Sequence, residues 1–98
     1  MQVDAVNVNV SHNTRDNRFE IQIGEELCVL EYELRGKTIY FTHTGVPPAL
    51  EGNGLANRLA QAGMEYARAN SLKVVPACEF IHVYLRRHPQ YQDLLRRR

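Results

Sequence analysis

A short loop bracketed by two glycines is the segment of this chain with the most evident chemical potential. An extended apolar run ends at Val46, two prolines turn the chain, and the sequence then reads Glu51-Gly52-Asn53-Gly54-Leu55-Ala56. A helix that begins after such a loop presents unpaired backbone N–H groups and the positive end of its dipole to the loop. The pattern therefore predicts an anion-binding site, although a plain turn before a helix uses the same residue types.

The cysteines, tyrosines and histidines of the chain are the side chains that could act as nucleophiles or move protons. Among them, the thiol of Cys78 could attack a carbonyl or relay a proton, the phenol of Tyr84 could donate a proton, and the imidazole of His43 could accept one. Each also has an ordinary interpretation, as a small apolar residue, a core aromatic residue and a buried histidine. His43, His82 and His88 form no metal-ligand spacing such as HxxxH or HExxH, so we expect no metal site.

Alternating apolar residues in the first half of the chain must supply the strands that position these groups. Valines alternate with asparagines over residues 6–10, which predicts a first strand. Further alternating runs cover residues 19–23, 28–34 and 39–46. Turns are expected at 11–17, 24–25 and 35–37. Four strands with such short connections predict an antiparallel meander, in which Ile39, Phe41 and His43 share one face.

The period of the apolar residues changes after Glu51. Leu55, Leu59, Ala62 and Tyr66 recur at helical spacing, which predicts a helix that ends at residues 70–71. Residues 72–75 predict a short strand, parallel to the strand before the helix. Apolar residues at 80–85 and 91–95 predict a second helix and a short third one. The fold class is therefore α+β: four antiparallel strands, a helix crossover to a fifth, parallel strand, and two or three helices.

Length and charge bound the remaining expectations. The chain has 98 residues, which predicts a single domain over residues 1–98 with one modest core. We expect no membrane span and no signal peptide, and two distant cysteines favour a reduced, cytoplasmic protein. Residues 1–50 carry seven acidic against four basic side chains, and residues 51–98 carry eight basic against four acidic ones. The basic half contains the glycine loop, which suits a small polyanion; no stripe of basic and aromatic residues predicts a nucleic-acid partner.

Four short motifs, in this order, resemble a known protein family. They are His43-Thr44-Gly45-Val46, Glu51-Gly52-Asn53-Gly54, Val74-Val75-Pro76-Ala77-Cys78 and Tyr84-Leu85-Arg86-Arg87-His88-Pro89. Together they are similar to the minimal single-domain members of the GNAT superfamily of acetyl-CoA-dependent N-acetyltransferases. The superfamily carries Arg/Gln-x-x-Gly-x-Gly/Ala at the loop, and Gly54 and Ala56 match it. Glu51 departs from the usual Arg or Gln.

The resemblance implies where acetyl-CoA would bind. The sheet of this family splays between its fourth and fifth strands, and the cofactor lies in the opening. The backbone of Thr44, Gly45 and Val46 would pair with the pantetheine arm, as an open strand edge can. The loop from Glu51 to Ala56, including Gly52, Asn53, Gly54 and Leu55, would hold the pyrophosphate through backbone N–H groups. Arg87 and His88, in a basic cluster, would be weaker candidates for contact with CoA phosphates.

The resemblance also implies roles at the reacting carbonyl. Tyr84 matches the tyrosine that protonates the departing CoA thiolate, Cys78 would lie near the acetyl group, and His43 would be the base for the acceptor amine. The implied activity is acetyl transfer to an amine by direct attack on the thioester. Because the chain lacks the first helices of larger relatives, we expect an open acceptor site, suited to a protein lysine or N-terminus.

Two other functions stay open at this stage. A non-catalytic acetyl-CoA-binding module would keep the opening and the loop but lack a competent base. A structural or regulatory domain would use the loop only as a turn. We expect a monomer, acetyl-CoA as the co-substrate, and no metal, nucleic acid or membrane partner.

Overall fold

The computed structural model describes residues 3–96 and contains one five-stranded sheet. The strands are β1 (Ser11–Asn13), β2 (Arg18–Ile23), β3 (Glu26–Arg35), β4 (Thr38–Gly45) and β5 (Lys73–Pro76). The α-helices are α1 (Leu55–Ala69) and α2 (Glu79–Arg87), and 3₁₀ turns cover Pro48–Leu50 and Pro89–Leu94. The predicted α+β class and its mixed sheet are confirmed, with the third helix formed as a 3₁₀ segment.

The sheet is a meander closed by one parallel pair. Its strand order is β1-β2-β3-β4-β5; all neighbouring pairs are antiparallel except β4 and β5. Gly24 and Gly36, each with φ of +59°, form the two predicted hairpin turns, where most side chains would be strained. The helix α1 makes the parallel connection between β4 and β5, as a crossover requires.

The prediction of a first strand at residues 6–10 is wrong. That segment is a turn followed by extended chain, and Val6 is 82% exposed. The first strand lies instead at Ser11–Asn13, inside the stretch expected to be a turn, and it pairs with Arg18–Glu20 of β2. Its anchor is His12, which stacks on Phe19 with ring centroids 4.2 Å apart. Because this strand is polar, alternation of apolar residues does not predict it.

The helix α1 lies close against the sheet because its contact residue has no side chain. A Cβ atom on Gly63 would be 3.0 Å from the ring of Phe41 and 3.1 Å from Leu30. Leu59, Met64 and the small residues around Gly63 are fully buried on the same face. The core therefore lies between α1 and one face of the sheet, and the face that carries Glu33 and Thr42 is exposed.

An irregularity in β4 determines which of its side chains face the helices near the site. Tyr32 pairs with Phe41 and Glu31 pairs with His43, so Thr42 is an extra residue, a β-bulge. Beyond the bulge, Thr44 pairs with buried Leu30 and faces the helices. The parallel partner strand stops earlier, at the pair Phe41–Pro76. Among the described residues, the last part of β4 thus has no strand on its β5 side, and the sheet opens there.

The carboxyl end of the described chain returns to the free edge of β5. Leu95 forms an isolated bridge with Val74, and the Arg96 N–H donates to the Val74 carbonyl at 3.0 Å. The Arg96 guanidinium also donates to the Tyr40 hydroxyl at 2.9 Å. These contacts hold Arg96 against the edge of the sheet; Arg97 and Arg98 lie outside the described residues.

Candidate functional site

Two adjoining cavities meet at the N-terminus of α1, on the side of the sheet that carries the helices. The smaller one, about 360 Å³, runs from Val46 past the glycine loop to Phe80 of α2. The larger one, about 600 Å³, lies between the first turns of α1 and the aromatic side of α2. Both are lined by Gly54 and Asn57. A single cleft therefore leads from the end of β4, along the loop, to the groove between the helices.

The glycine loop has the backbone that an anion site needs. Gly52 and Gly54 have φ of +82° and +76°, so both residues use conformations that favour glycine. Gly54 is the N-cap of α1, and no side chain among residues 3–96 caps this end. The first α1 amide to bond within the helix is that of Arg58, which donates to Gly54. The preceding amides, including those of Leu55 and Ala56, have no acceptor among residues 3–96 and are available to a ligand.

Asn53 uses its side chain to brace this loop. Its Nδ2 donates to the Leu50 carbonyl at 2.9 Å, and its Oδ1 accepts from the Val3 N–H at 3.2 Å. Glu51 ends the 3₁₀ turn and is exposed, so its carboxylate lies at the surface of the cleft. Of the predicted loop residues, the glycines and the helix amides are the ones free to meet a ligand, while Asn53 holds their conformation.

The opening of the sheet is bridged by two side chains from opposite walls. Thr44 lies on β4 and Cys78 is the N-cap of α2, and their Oγ1 and Sγ atoms are 3.5 Å apart. Both residues are half-buried. Cys78 is therefore a neighbour of the end of β4, and its place near an acetyl group stays a prediction. Val46, just beyond, lines the smaller cavity.

Aromatic rings from successive turns of α2 form one wall of the cleft. Tyr84, only 5% exposed, stacks on the His88 ring with centroids 3.8 Å apart and on Phe80 at 6.3 Å. His88 Nδ1 donates to the Tyr84 carbonyl at 2.7 Å, which fixes the ring. Burial raises the pKa of Tyr84, and the Glu65 carboxylate raises it further. The phenol of Tyr84 thus stays protonated at neutral pH and can serve as a proton donor.

The expectation that His43 shares a face with Ile39 and Phe41 is wrong. The bulge shifts the register by one residue, so His43 pairs with Glu31 and lies on the face away from the helices. His43 is exposed, whereas Phe41 is fully buried. His43 and Tyr84 therefore stand on opposite sides of the sheet, with the opening beside β4 between them.

Some residues of the site differ from the sequence expectation. Arg87 is exposed and lines neither cavity, so it is not brought to the cleft. In its place, Arg58 lines the larger cavity from the first turns of α1. Asn57 and Gln61 line the larger cavity beside Arg58. These two polar residues are four apart and so lie on one face of α1, which is the pattern in the sequence that indicates a polar surface there. Ala5 and Val6 complete the wall, which only tertiary structure could reveal.

Within residues 3–96, no helix is both long and apolar enough to cross a membrane. Within the same range, no group of three or more His, Cys, Asp or Glu side chains is placed to hold a metal ion.

Comparison with known proteins assigns the family. The sequence model of the family described as GCN5-related N-acetyl-transferase matches residues 18–94. The chain belongs to this family. Protein NATD1 of Xenopus tropicalis is 34% identical over 92 residues, which cover 91% of this chain and 84% of that relative. Protein NATD1 of Homo sapiens is also 34% identical, with 91% and 81% covered.

A solved structure agrees with this assignment. The NMR solution structure of a GCN5-like protein of Staphylococcus aureus superposes with a TM-score of 0.74 at 31% identity, covering 92% of this chain and 89% of that one. The resemblance inferred from the four motifs is thus confirmed for family and fold. The match over residues 18–94 includes both walls of the cleft and the glycine loop, so this GCN5-related domain contains the whole candidate site except Ala5 and Val6.

Proposed function

We propose that this GCN5-related domain is an acetyl-CoA-dependent N-acetyltransferase. The observation that carries the proposal is the continuous cleft from the open end of β4, along the glycine loop, to the aromatic wall of α2. A long ligand with an amide-bearing arm and a polyanionic middle fits this sequence of surfaces. The β4 backbone would pair with the pantetheine arm, and the amides at the N-terminus of α1 would hold the pyrophosphate.

The charges around the loop favour a polyanion. The first turn of α1 contains no acidic residue, and Arg58 lies in the cavity beside it. Arg58 makes no ion pair within 4.0 Å among residues 3–96. A cation at this end of a helix is unfavourable by itself, because the helix dipole is positive there. A phosphate group in the cleft would offset both charges, and exposed Glu51 can turn its carboxylate towards solvent.

The proposed reaction uses groups on both sides of the sheet. His43 first takes a proton from the ammonium, and the neutral nitrogen then attacks the thioester carbonyl from the exposed face of the sheet. The C–N bond forms in a tetrahedral intermediate whose oxyanion is stabilised by a backbone N–H at the end of β4. Its collapse breaks the C–S bond while Tyr84 donates its proton to the departing thiolate, and the second proton lost by the nitrogen passes through solvent to restore the Tyr84 phenol. Thr44 and Cys78 form the wall beside the carbonyl in this scheme, and no acetyl-cysteine intermediate is required.

The exposed face of the sheet also favours a cationic acceptor. Glu20 is paired with Arg18 and Glu33 with Arg35, whereas Glu31 makes no ion pair within 4.0 Å among the described residues. Arg18 on β2 lies opposite Glu31 and attracts it at longer range. On its other side, Glu31 lies directly opposite His43 on the neighbouring strand, and the residue is half-buried. It would attract a protonated amine to the base. His43 and Thr42 are exposed, so an amine on a protein, at a lysine or an N-terminus, could reach the opening.

The test is turnover on a panel of amines. Purified protein is mixed with acetyl-CoA and lysine-containing peptides, peptides with free N-termini or small amines, and release of free thiol is followed together with the product mass. We expect thiol release that depends on the amine and is faster with peptides. Binding of acetyl-CoA without any amine-dependent release would instead favour a non-catalytic binding module.

A further inference from the structure

Gly45 is the one glycine within a strand of the described chain, and no unusual backbone conformation requires a glycine there. Its φ is outside the positive range that the turn and loop glycines adopt. A Cβ atom on Gly45 would lie 3.2 Å from Nε2 of His43 and 3.5 Å from Cγ2 of Val29. The His43 imidazole therefore occupies the space that a side chain at residue 45 would take.

This contact lies beside the opening of the sheet. Because of the bulge, His43 and Gly45 pair with Glu31 and Val29, so all four residues share the exposed face. The pairing of β4 with β5 ends at Phe41, before either residue. The imidazole thus lies along the part of β4 that borders the opening, with Nε2 at the level of Gly45.

We propose that Gly45 is a positioning residue: its missing side chain seats the His43 ring at the end of β4. This inference rests on the proposed function, in which His43 accepts the amine proton. Alanine at residue 45 keeps the backbone N–H and an ordinary backbone conformation, but its Cβ would lie 3.2 Å from Nε2 of the ring, closer than nine in ten Cβ contacts in proteins. The ring, as the flexible partner, must move. Small displacements of a reacting group lower rates steeply.

The experiment compares Gly45→Ala in the natural sequence and in a His43→Gln background. We expect Gly45→Ala to lower kcat for peptide acetylation about tenfold, with KM for acetyl-CoA within about twofold because the backbone is unchanged. In the His43→Gln background, the same substitution is expected to change kcat less than about twofold, since the seated ring is gone. Val29→Ala removes the 3.5 Å contact but not the 3.2 Å one. It is therefore the matched control and should not restore Gly45→Ala.

A second measurement does not depend on activity. The ring ¹⁵N and ¹³C NMR signals of His43 in ligand-free protein should shift in Gly45→Ala, while those of His12 stay in place. Unchanged His43 signals would overturn the proposal that residue 45 positions the ring. An equal loss of kcat in both backgrounds, or full restoration by Val29→Ala, would show that Gly45 acts through the backbone or packing and would also overturn it. Absence of any acetyl transfer by the natural sequence would contradict the proposed function. The NMR comparison would still decide whether residue 45 positions the His43 ring.

Discussion

Substitution of Gly52 by alanine separates the loop's conformation from its ligand contact. Gly52 has φ of +82°, and a Cβ atom there would meet nothing within 4 Å. Gly36 has φ of +59° and equally free surroundings, but it lies in the β3–β4 hairpin, away from the cleft. Both alanines impose the same kind of backbone strain, and only the one at residue 52 alters the proposed anion site.

The expected magnitudes follow from that comparison. A left-handed conformation costs a non-glycine residue about 1–2 kcal/mol. In a domain of this size each kcal/mol lowers Tm by about 4–8 °C, so both variants should melt about 4–16 °C lower. Gly52→Ala should also disturb hydrogen bonds to a charged ligand, each worth about 1.5–3 kcal/mol. That is a Kd for CoA roughly 10- to 150-fold higher.

The assay is calorimetric titration with CoA at a temperature where both variants are folded, supported by melting curves without ligand. We expect Gly36→Ala to bind CoA as the natural sequence does. If the two variants lose the same affinity, or neither loses any, the glycine loop does not hold the pyrophosphate and the reasoning fails.

Three further outcomes follow from the same geometry. Tyr84→Phe should lower kcat roughly 10²-fold while Kd for acetyl-CoA changes little, because only the donated proton is lost; a rate near that of the natural sequence would refute Tyr84 as the acid. Gly63→Ala should lower Tm by about 4–8 °C, since crowding of Phe41 and Leu30 exceeds the gain of about 1 kcal/mol in helix propensity; an unchanged Tm would contradict the close helix–sheet contact. The Arg68 guanidinium lowers the pKa of Asp93 from its ordinary value, so this pair stabilises the fold at and above the ordinary pKa of aspartate, and the contribution is lost as pH falls through the lowered pKa. Arg68→Gln should therefore remove part of the acid dependence of Tm, and an identical pH profile would count against it.

Local patterns predicted much of this fold because the relevant signals lie within single elements. The helical period from Leu55 onward produces α1, and glycines at the hairpins produce the β2–β3 and β3–β4 turns. The first strand was missed for the opposite reason. The valines at 6–10 alternate but have no strand partner among residues 3–96. Ser11–Asn13, in contrast, pairs with β2 and is stabilised by the stacking of His12 on Phe19.

The site was predictable where it depends on order along the chain and not where it depends on register. The spaced motifs contain Thr44, Cys78 and the glycine loop, and the structure brings these residues to one opening, where their roles stay predictions. The face of His43 depends on an extra residue between two strands, which alternation in β4 alone cannot reveal. Arg58 was overlooked because its importance comes from the opposing wall of α2, an element more than twenty residues away.

The central claim is that acetyl-CoA occupies the cleft at the N-terminus of α1. The most direct measurement is an ¹⁵N-labelled NMR titration of the natural sequence with acetyl-CoA. We predict saturable shifts of the amides of Gly52, Gly54, Leu55 and Thr44, with Gly24 and Gly36 unaffected as internal controls. Saturation with no shift at the loop, or shifts confined to the hairpins, would contradict the account.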